Sequence, residues 1–454
     1  MTKDMTEGRP FRLIIGFAIP MFLGMLFQQF YSMVDTIIVG KFLGVEQLAG
    51  VGSTGSVNFL VIGFCMGLCN GFAIPIAQKF GAKEDRELRK YAANCMWLCI
   101  AGSVLLTTVF AGFCRPLLRL LNTPDDIFSY AYVYIFIIIL GIPCTILYNV
   151  LAAIIRSLGD SKTPVVFLAV SSLINIVLDI LFILAFHMGV EGPALATVIS
   201  QGISGVICFW YMKKKFVILK MEKDDLKPRT AYMKNLCYMG IPMGLQYSVT
   251  AVGSLVMQSA INGFGAAAVA GVTAAQKIHC FIACPIEALG STMAPYAGQN
   301  MGAGKVSRIS DGVKVASLCG FVVSGVLFVV LLLTGRQLAL LFMDTPNEQV
   351  LDYAYQLMLV TASGYCLLTL VNVVRFSIQG MGYSVFAITS GVMEMLARGL
   401  AALVLVPFLG FTGVCLGNIL AWIFADSFLI PAFIFCRKRL ERQLGVKQTD
   451  FPVL

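Results

Sequence analysis

The sequence predicts an all-α integral membrane protein of twelve transmembrane helices, built as two six-helix repeats. Three observations carry that prediction. The first is composition: of 454 residues, 58% are hydrophobic and 13% charged, with a mean hydropathy of +0.85. A soluble domain has about 25% charged residues, so this chain has too little polar side chain to coat a surface in water. The second is the length of the apolar runs, which recur from end to end. About 20 such residues cross a hydrocarbon core. The third is internal repetition. Ile19-Pro20-Met21 returns as Ile241-Pro242-Met243, and Asn122-Thr123-Pro124 as Asp344-Thr345-Pro346. Gln78 with Gly81-Ala82 returns as Gln299 with Gly302-Ala303, and Gly189–Gly192 as Gly410–Gly413. The offset is 221 or 222 residues each time, in one order, which marks a duplicated membrane bundle.

The spans of the first half are 13–40, 53–79, 92–114, 128–152, 164–186 and 192–212. Those of the second are 236–262, 272–299, 313–334, 350–374, 385–406 and 411–436. The first apolar run begins near Phe11 and reaches about Val39. That is too long for a signal-peptide core and has no small-residue cleavage pattern after it, so it reads as a retained helix. It holds Pro20, whose missing amide hydrogen bends a helix, and Asp35 about four turns later. Gly63, Gly67 and Gly71 form a small-residue ridge on the second helix, which lets another helix approach closely. Asn175 and Asp179 lie on the fifth, Thr197 and Ser200 on the sixth. Lys213 to Lys234 is the longest charged stretch and reads as a linker, with contact to lipid headgroups as the other reading. Glu287 falls on the eighth span, Glu394 and Arg398 on the eleventh, and Asp426 on the twelfth. The chain thus divides into an amino-terminal lobe, 1–212, a linker, 213–235, and a carboxy-terminal lobe, 236–454.

Six spans per half is an even number, so both halves enter and leave on one side and are parallel repeats about an axis along the membrane normal. Of the 33 Lys and Arg residues, Lys41, Arg115, Arg119, Lys277 and Arg336 fall on one side and Arg398 within a span. About 27 lie in the termini and the even-numbered connections or at the span ends beside them. The positive-inside rule then places both termini in the cytoplasm. The net charge of +9 is this loop bias. No interleaved basic–aromatic stripe points to nucleic acid. The fourteen cysteines sit almost wholly inside spans at CxxxC spacing and read as small packing residues. His279 beside Cys280 and Cys284 makes a poor metal site, so no metal is expected.

An acid at the bilayer centre costs about 2.5–3.5 kcal/mol on insertion scales, so each one needs a reason. Glu394 and Arg398 stand one turn apart and read as a structural ion pair. Asp35, Asp179, Glu287 and Asp426 have no local partner. Gln28, Tyr31 and Ser32 lie on the face of Asp35, a polar stripe that lines water or another polar surface. Asn175 stands one turn below Asp179, and Thr197 and Ser200 of the next helix are placed to meet that face. A carboxylate beside an amide and hydroxyls suits sodium or a transferable proton. The alternative for each acid is a plain hydrogen bond to a neighbouring helix; for Pro20 it is a static kink.

The sequence lacks a Walker loop, a GxGxxG after a strand, an HExxH and a DDxxD, so no enzyme chemistry is expected. Other segments carry a likeness. They are Val34–Gly44 (VDTIIVGKFLG), Gly81–Lys83 (GAK), Leu158–Pro164 (LGDSKTP), Asn175–Asp179 (NIVLD) and Gly189–Thr197 (GVEGPALAT). In the second half, Ala274–Ile278 (AAQKI), Gly298–Gly304 (GQNMGAG) and Glu394–Arg398 (EMLAR) fit as well. In order and spacing these resemble the multidrug and toxic compound extrusion (MATE) transporters, over essentially the whole chain.

The resemblance implies two six-helix bundles around a central cleft that opens alternately to each side. It implies export of organic, often cationic, compounds from bacteria across the cytoplasmic membrane, against inward flow of protons or sodium, with no cofactor. It also implies an amino-lobe cation site at Pro20, Asp35, Asn175, Asp179 and Thr197. The family's acid on the tenth helix has no match here, since 350–374 holds only Asp352 near its outer end. Gln28, Tyr31, Glu287 and Asp426 are assigned to the substrate cleft, Pro20 to the conformational change. The expected substrates are small organic cations or amphipathic drugs, and the expected form is a monomer in lipid. Two rival readings are a lipid-linked oligosaccharide flippase and an intramembrane enzyme with Asp35 and Asp179 as a dyad. A flippase calls for basic residues in the cleft, where this reading places acids and one paired arginine.

Overall fold

A computed structural model describes residues 2–121, 123–341 and 347–444. The first lobe comprises α1 (Pro10–Leu43), α2 (Val45–Ser53), α3 (Gly55–Gly81), α4 (Asp85–Leu120), α5 (Asp125–Leu140), α6 (Ile142–Ser157), α7 (Lys162–Ile180) and α8 (Glu191–Lys215). The second comprises α9 (Thr230–Asn262), α10 (Ala266–Ile282), α11 (Cys284–Gly302), α12 (Val306–Leu340), α13 (Glu348–Ser363), α14 (Tyr365–Gly380), α15 (Ser384–Leu400), α16 (Val406–Leu409) and α17 (Phe411–Gln443). Eight of these helices, or helix runs, are long and apolar enough to cross a membrane. Three bent pairs, α5/α6, α10/α11 and α13/α14, act as further spans, with bends of 49°, 49° and 53°. The twelfth is α9, whose 33 residues are made less apolar by Gln246, Tyr247, Ser248, Thr250, Ser254 and Gln258.

Each expected span has its helix, but the ends differ. The expected linker 213–235 shortens to 216–229, because α8 continues to Lys215 and α9 starts at Thr230. It is docked rather than loose: Arg89 pairs with the buried Asp225 at 3.0 Å, and Trp97 Nε1 donates to the Leu226 carbonyl at 2.9 Å. Beside them, a hydrogen bond from Lys227 holds the exposed Asp224 carboxyl below its ordinary range. Of the repeated motifs, Asn122 and Asp344-Thr345-Pro346 lie outside the described residues.

The repetition is visible in the backbone. Gly44 and Gly265, with φ of 91° and 87°, end the first helix of each lobe in a conformation open to glycine. A five-residue π-turn follows α7 at Leu181–Ala185 and α15 at Ala401–Leu405. Each lobe has its own apolar core, one centred on α3, α5 and α6 and the other on α10, α13, α14 and α17. A third cluster joins the lobes, with Ile14 and Phe17 of α1 against Leu289, Met293 and Tyr296 of α11.

The tightest contact between lobes gathers at the end that carries the termini. There the ridge on α3 meets α9: a Cβ at Gly67 would stand 2.5 Å from the Met243 carbonyl oxygen. One turn on, a Cβ at Gly71 would stand 2.5 Å from Gly240 Cα. Beyond the ridge the repeated Gln-x-x-Gly motifs interlock. A Cβ at Gly81 would overlap the Gln299 carbonyl, and a Cβ at Gly302 would overlap the Gln78 carbonyl. Gln78 Nε2 donates to the Gly380 carbonyl and Gln299 Nε2 to the Ser157 carbonyl, both at 2.9 Å. The amino-terminal segment crosses this seam. Lys3 N–H donates to the Leu158 carbonyl at 3.0 Å, and Met5 N–H to Gln299 Oε1 at 2.8 Å. Asn300 Nδ2 and Lys305 Nζ donate to the carbonyls of Met5 and Thr6.

Gly302→Ala should therefore keep both lobes folded while forcing the seam apart, since overpacking of this kind costs about 1–3 kcal/mol. Met5 is fully buried. In a background without other cysteines, a Met5→Cys reporter should react several-fold faster with a water-soluble maleimide in the Gly302→Ala protein. Equal labelling rates would show that the glycine is not what lets the seam close.

Candidate functional site

In the amino-terminal lobe, α1, α7 and α8 converge on a polar cluster. Asp35 and Asp179 face each other, their carboxyl groups within hydrogen-bonding reach. Asp179 and Asn175 are buried, at 0% and 1% exposure, and Asp35 is half-buried. The Asn175 amide is oriented by its partners. Its nitrogen donates to Asp179 Oδ2 at 3.0 Å, and its oxygen accepts from the Thr197 backbone N–H at 3.1 Å. The Tyr31 hydroxyl faces Thr197 Oγ1 at 3.4 Å. Oδ1 of Asp35 and Oδ1 of Asp179 have no hydrogen-bond partner among the described residues. Two carboxyl groups this close, each with an unsatisfied oxygen, require a proton or a cation between them. Tyr134 of α5 adds a buried phenol within electrostatic range, which the sequence reading did not assign.

Local geometry explains the convergence. Asn175 and Asp179 are one turn apart, so both project from one face of α7. The π-turn begins two residues later, a distortion frequent at functional sites. Gly24 of α1 lets the Val165 side chain of α7 come close, since a Cβ there would meet it at 2.9 Å.

The cluster opens onto a cleft between the lobes. That cleft holds about 1550 Å³ of non-atom space, part of it continuous with the exterior. Gln28 and Tyr31 line it, as do Asn175 and Ser200, so the acids communicate with it through Asn175. Four methionines (Met21, Met25, Met66, Met243) and the rings of Tyr148, Tyr247 and Phe376 line it too, among smaller apolar and polar residues such as Ala73, Ile74, Asn70 and Gln201.

Two residues assigned to the cleft are not among those that line it, although Glu287 is within electrostatic range of Tyr247, which does. Glu287 is exposed in the first turn of α11, just past the break at Ala283, and is not on the cleft wall. Asp426 is 5% exposed and points into the carboxy-terminal lobe, near Arg375 and Glu394, with neither oxygen hydrogen-bonded. No described Asp or Glu lines the cleft; its charged residue is Arg156, in the last turn of α6. The expected span 128–152 ended short of it, whereas the helix continues through the apolar Leu151–Ile155 to Ser157.

The Glu394–Arg398 pair is also incomplete as read. Glu394 Oε1 is held by Arg375 Nη1 at 2.9 Å, while Arg398 Nη1 is 3.6 Å from Oε2. Arg375 further donates to Asn372 Oδ1 at 3.0 Å. Arg375 lies one residue beyond the expected span 350–374, and α14 carries it on into the bundle. Pro20 sits inside α1, which runs on as one helix from Pro10 to Leu43. His279 shares a hydrogen bond with the Tyr365 hydroxyl at 2.9 Å.

A family model described as MatE matches residues 20–181 and again 242–404, one match in each lobe. The probable multidrug resistance protein YpnP of Bacillus subtilis strain 168 is 30% identical over 360 residues, covering 78% of this chain and 79% of that protein. The multidrug export protein MepA of Staphylococcus haemolyticus is 24% identical, covering 85% of each. Among solved structures, the outward-facing conformation of a multidrug resistance MATE family transporter of the MOP superfamily superposes with a TM-score of 0.88. Its sequence identity is 23%, over 98% of this chain and 99% of that one.

The charge geometry of the carboxy-terminal lobe ranks its two arginines. Removing one partner of a buried ion pair costs about 3–5 kcal/mol. Arg375→Met should therefore lower the melting temperature in detergent more than Arg398→Met. The reverse order would make the i, i+4 pair the principal one.

Proposed function

Because this chain belongs to the MatE family of membrane transporters, we propose that its facing Asp35 and Asp179 couple the entry of a cation to the export of organic amphiphiles by alternating access. The protein is a multi-pass membrane transporter of the multidrug efflux kind, not an enzyme. The observation that carries the coupling assignment is the pair of carboxyl groups with one unpartnered oxygen each, joined to the cleft through Asn175. Two unit charges about 4 Å apart repel by about 4 kcal/mol at an effective dielectric of 20. A proton or a sodium ion bound between them removes that repulsion and draws α1 toward α7. A bias of a few kcal/mol is enough to exchange the populations of two conformers.

Asn175, Thr197 and Tyr31 complete the site. For sodium they are neutral oxygen ligands; for a proton they are partners of the neutral acid. Pro20 is the point at which α1 bends in response, since no N–H there holds the Gly16 carbonyl. The methionine and aromatic wall of the cleft suits amphiphiles of varied shape, and the faces of its tyrosines accept organic cations. The bias of Lys and Arg toward the termini puts both termini in the cytoplasm of a bacterium. The sealed seam is then the cytoplasmic gate and the cleft faces out. The cleft is complete within one chain, which supports a working monomer.

In proteoliposomes, Asp35→Asn should abolish rhodamine 6G efflux driven by a pH gradient or by a sodium gradient, imposed separately. Its thermal stability should hold or rise, because a membrane acid is lost. Efflux at the parental rate would remove Asp35 from the coupling site. Pro20→Ala restores a helix-interior hydrogen bond and removes a ring clash, together worth about 3 kcal/mol. It should bind rhodamine 6G as the parent does but turn over at least tenfold more slowly. Parental turnover would mean that the proline is a static kink.

A further inference from the structure

Arg156 is the one charged side chain on the cleft wall among the described residues, and it has no carboxylate partner there. Its Nη2 donates to Asn70 Oδ1 at 3.2 Å. The ionisable groups facing it are the phenols of Tyr148 and Tyr247 and the thiols of Cys69 and Cys208. A guanidinium carries five N–H donors in a rigid fork, and one amide oxygen occupies one of them. The bundle treats its other buried arginines differently, since Arg375 and Arg398 both turn to Glu394. Tyr148 and Asn149, which also line the cleft, already donate to the Pro164 and Thr145 carbonyls. Tyr247 is packed by its ring on the Gly63–Gly67 ridge of α3, which fixes it opposite Arg156.

A charge within a membrane bundle that lacks a protein partner marks a ligand pathway. The fork of an arginine matches the two oxygens of a carboxylate, sulfonate or phosphate better than any other side chain does. We propose that Arg156, with Asn70 Nδ2 and the Tyr247 hydroxyl, forms a subsite for the anionic group of an amphipathic substrate, whose apolar body lies along Met66 and Met243. The cleft then takes organic anions and zwitterions as well as cations. This inference rests on the efflux reading given above. It adds a mechanical point, because Arg156 and Asn70 belong to one lobe and Tyr247 to the other. An anion held there is gripped by both halves at the seam that must open.

The test uses two probes on one xanthene scaffold, the fluorescein anion and the rhodamine 6G cation. Binding of each to the purified full-length protein is followed by fluorescence anisotropy. The ratio of fluorescein affinity to rhodamine affinity should fall at least tenfold in Arg156→Gln. Asn70→Asp should lower it as far by a different route, placing a carboxylate where the amide oxygen now meets the guanidinium and leaving the arginine in place. That variant decides the matter if Arg156→Gln does not fold. A ratio within tenfold of the parent in either folded variant overturns the subsite. Wild-type efflux of rhodamine 6G under a cation gradient tests the efflux reading separately. If that efflux is absent the transport assignment fails, whatever the binding ratio.

Discussion

Hydrocarbon cannot solvate charge, and the interior of this bundle is arranged by that fact. Each ionisable group in it has met the cost in a different way. Glu394 is shared between Arg375 and Arg398, so the three hold one another. Asp35 and Asp179 are set against each other, with one oxygen of each left without a donor among the described residues. Arg156 is turned to the cleft with a neutral amide. Glu394 is thus neutralised within the protein, while Asp35, Asp179 and Arg156 are left incomplete on or beside the cleft and Asp426 is left incomplete inside the carboxy-terminal lobe.

The duplication is faithful in backbone and unfaithful in chemistry. The turn glycines and the Gln-x-x-Gly pairs recur at the repeat offset, and a π-turn follows the matching helix in each lobe. The polar cluster does not: at an offset of 221 or 222, Asp35, Asp179 and Thr197 meet Val256 or Met257, Leu400 or Ala401, and Asn418 or Ile419. Met257 and Asn418 line a smaller cavity in the second lobe, beside His279 and Arg398. Two halves that close on each other must match in shape at the seam, where backbone meets backbone. They need not match where a ligand sits, and one lobe has kept acids where the other has none.

Hydropathy locates the spans, and the i, i+4 rule places Asn175 with Asp179 on one face. The next helix supplies Thr197 at the distance that the short connection implies. What was not legible has physical causes. A break of one residue at Gly141, Ala283 or Gly364 leaves hydropathy almost unchanged, so the three bent spans read as straight. A window that weighs polarity stops at an arginine, which put Arg156 and Arg375 outside their helices. The apolar runs Leu151–Ile155 and Val371–Val374 before them were the available signal, though Val371–Val374 includes Asn372. Local pairing rules see one helix at a time, so Glu394 was matched to Arg398 while its nearer partner stands 19 residues away. Likewise, an acid inside a span says nothing of which way it points, and neither Glu287 nor Asp426 is among the residues that line the cleft.

The segment before α1 gives the molecule a built-in clock. The Lys3 amide is bonded to one lobe and the Met5 amide to the other, beneath a seam that buries Met5 and Thr6 almost completely. Backbone amides exchange with solvent deuterium only when such bonds open. The two are only two residues apart, so one short proteolytic fragment spanning them reports both. Their exchange rate reports how readily the seam opens in the unlabelled wild-type chain. If the proposed anion and cation sites control the seam, loading either should shift that rate without any probe attached to the protein.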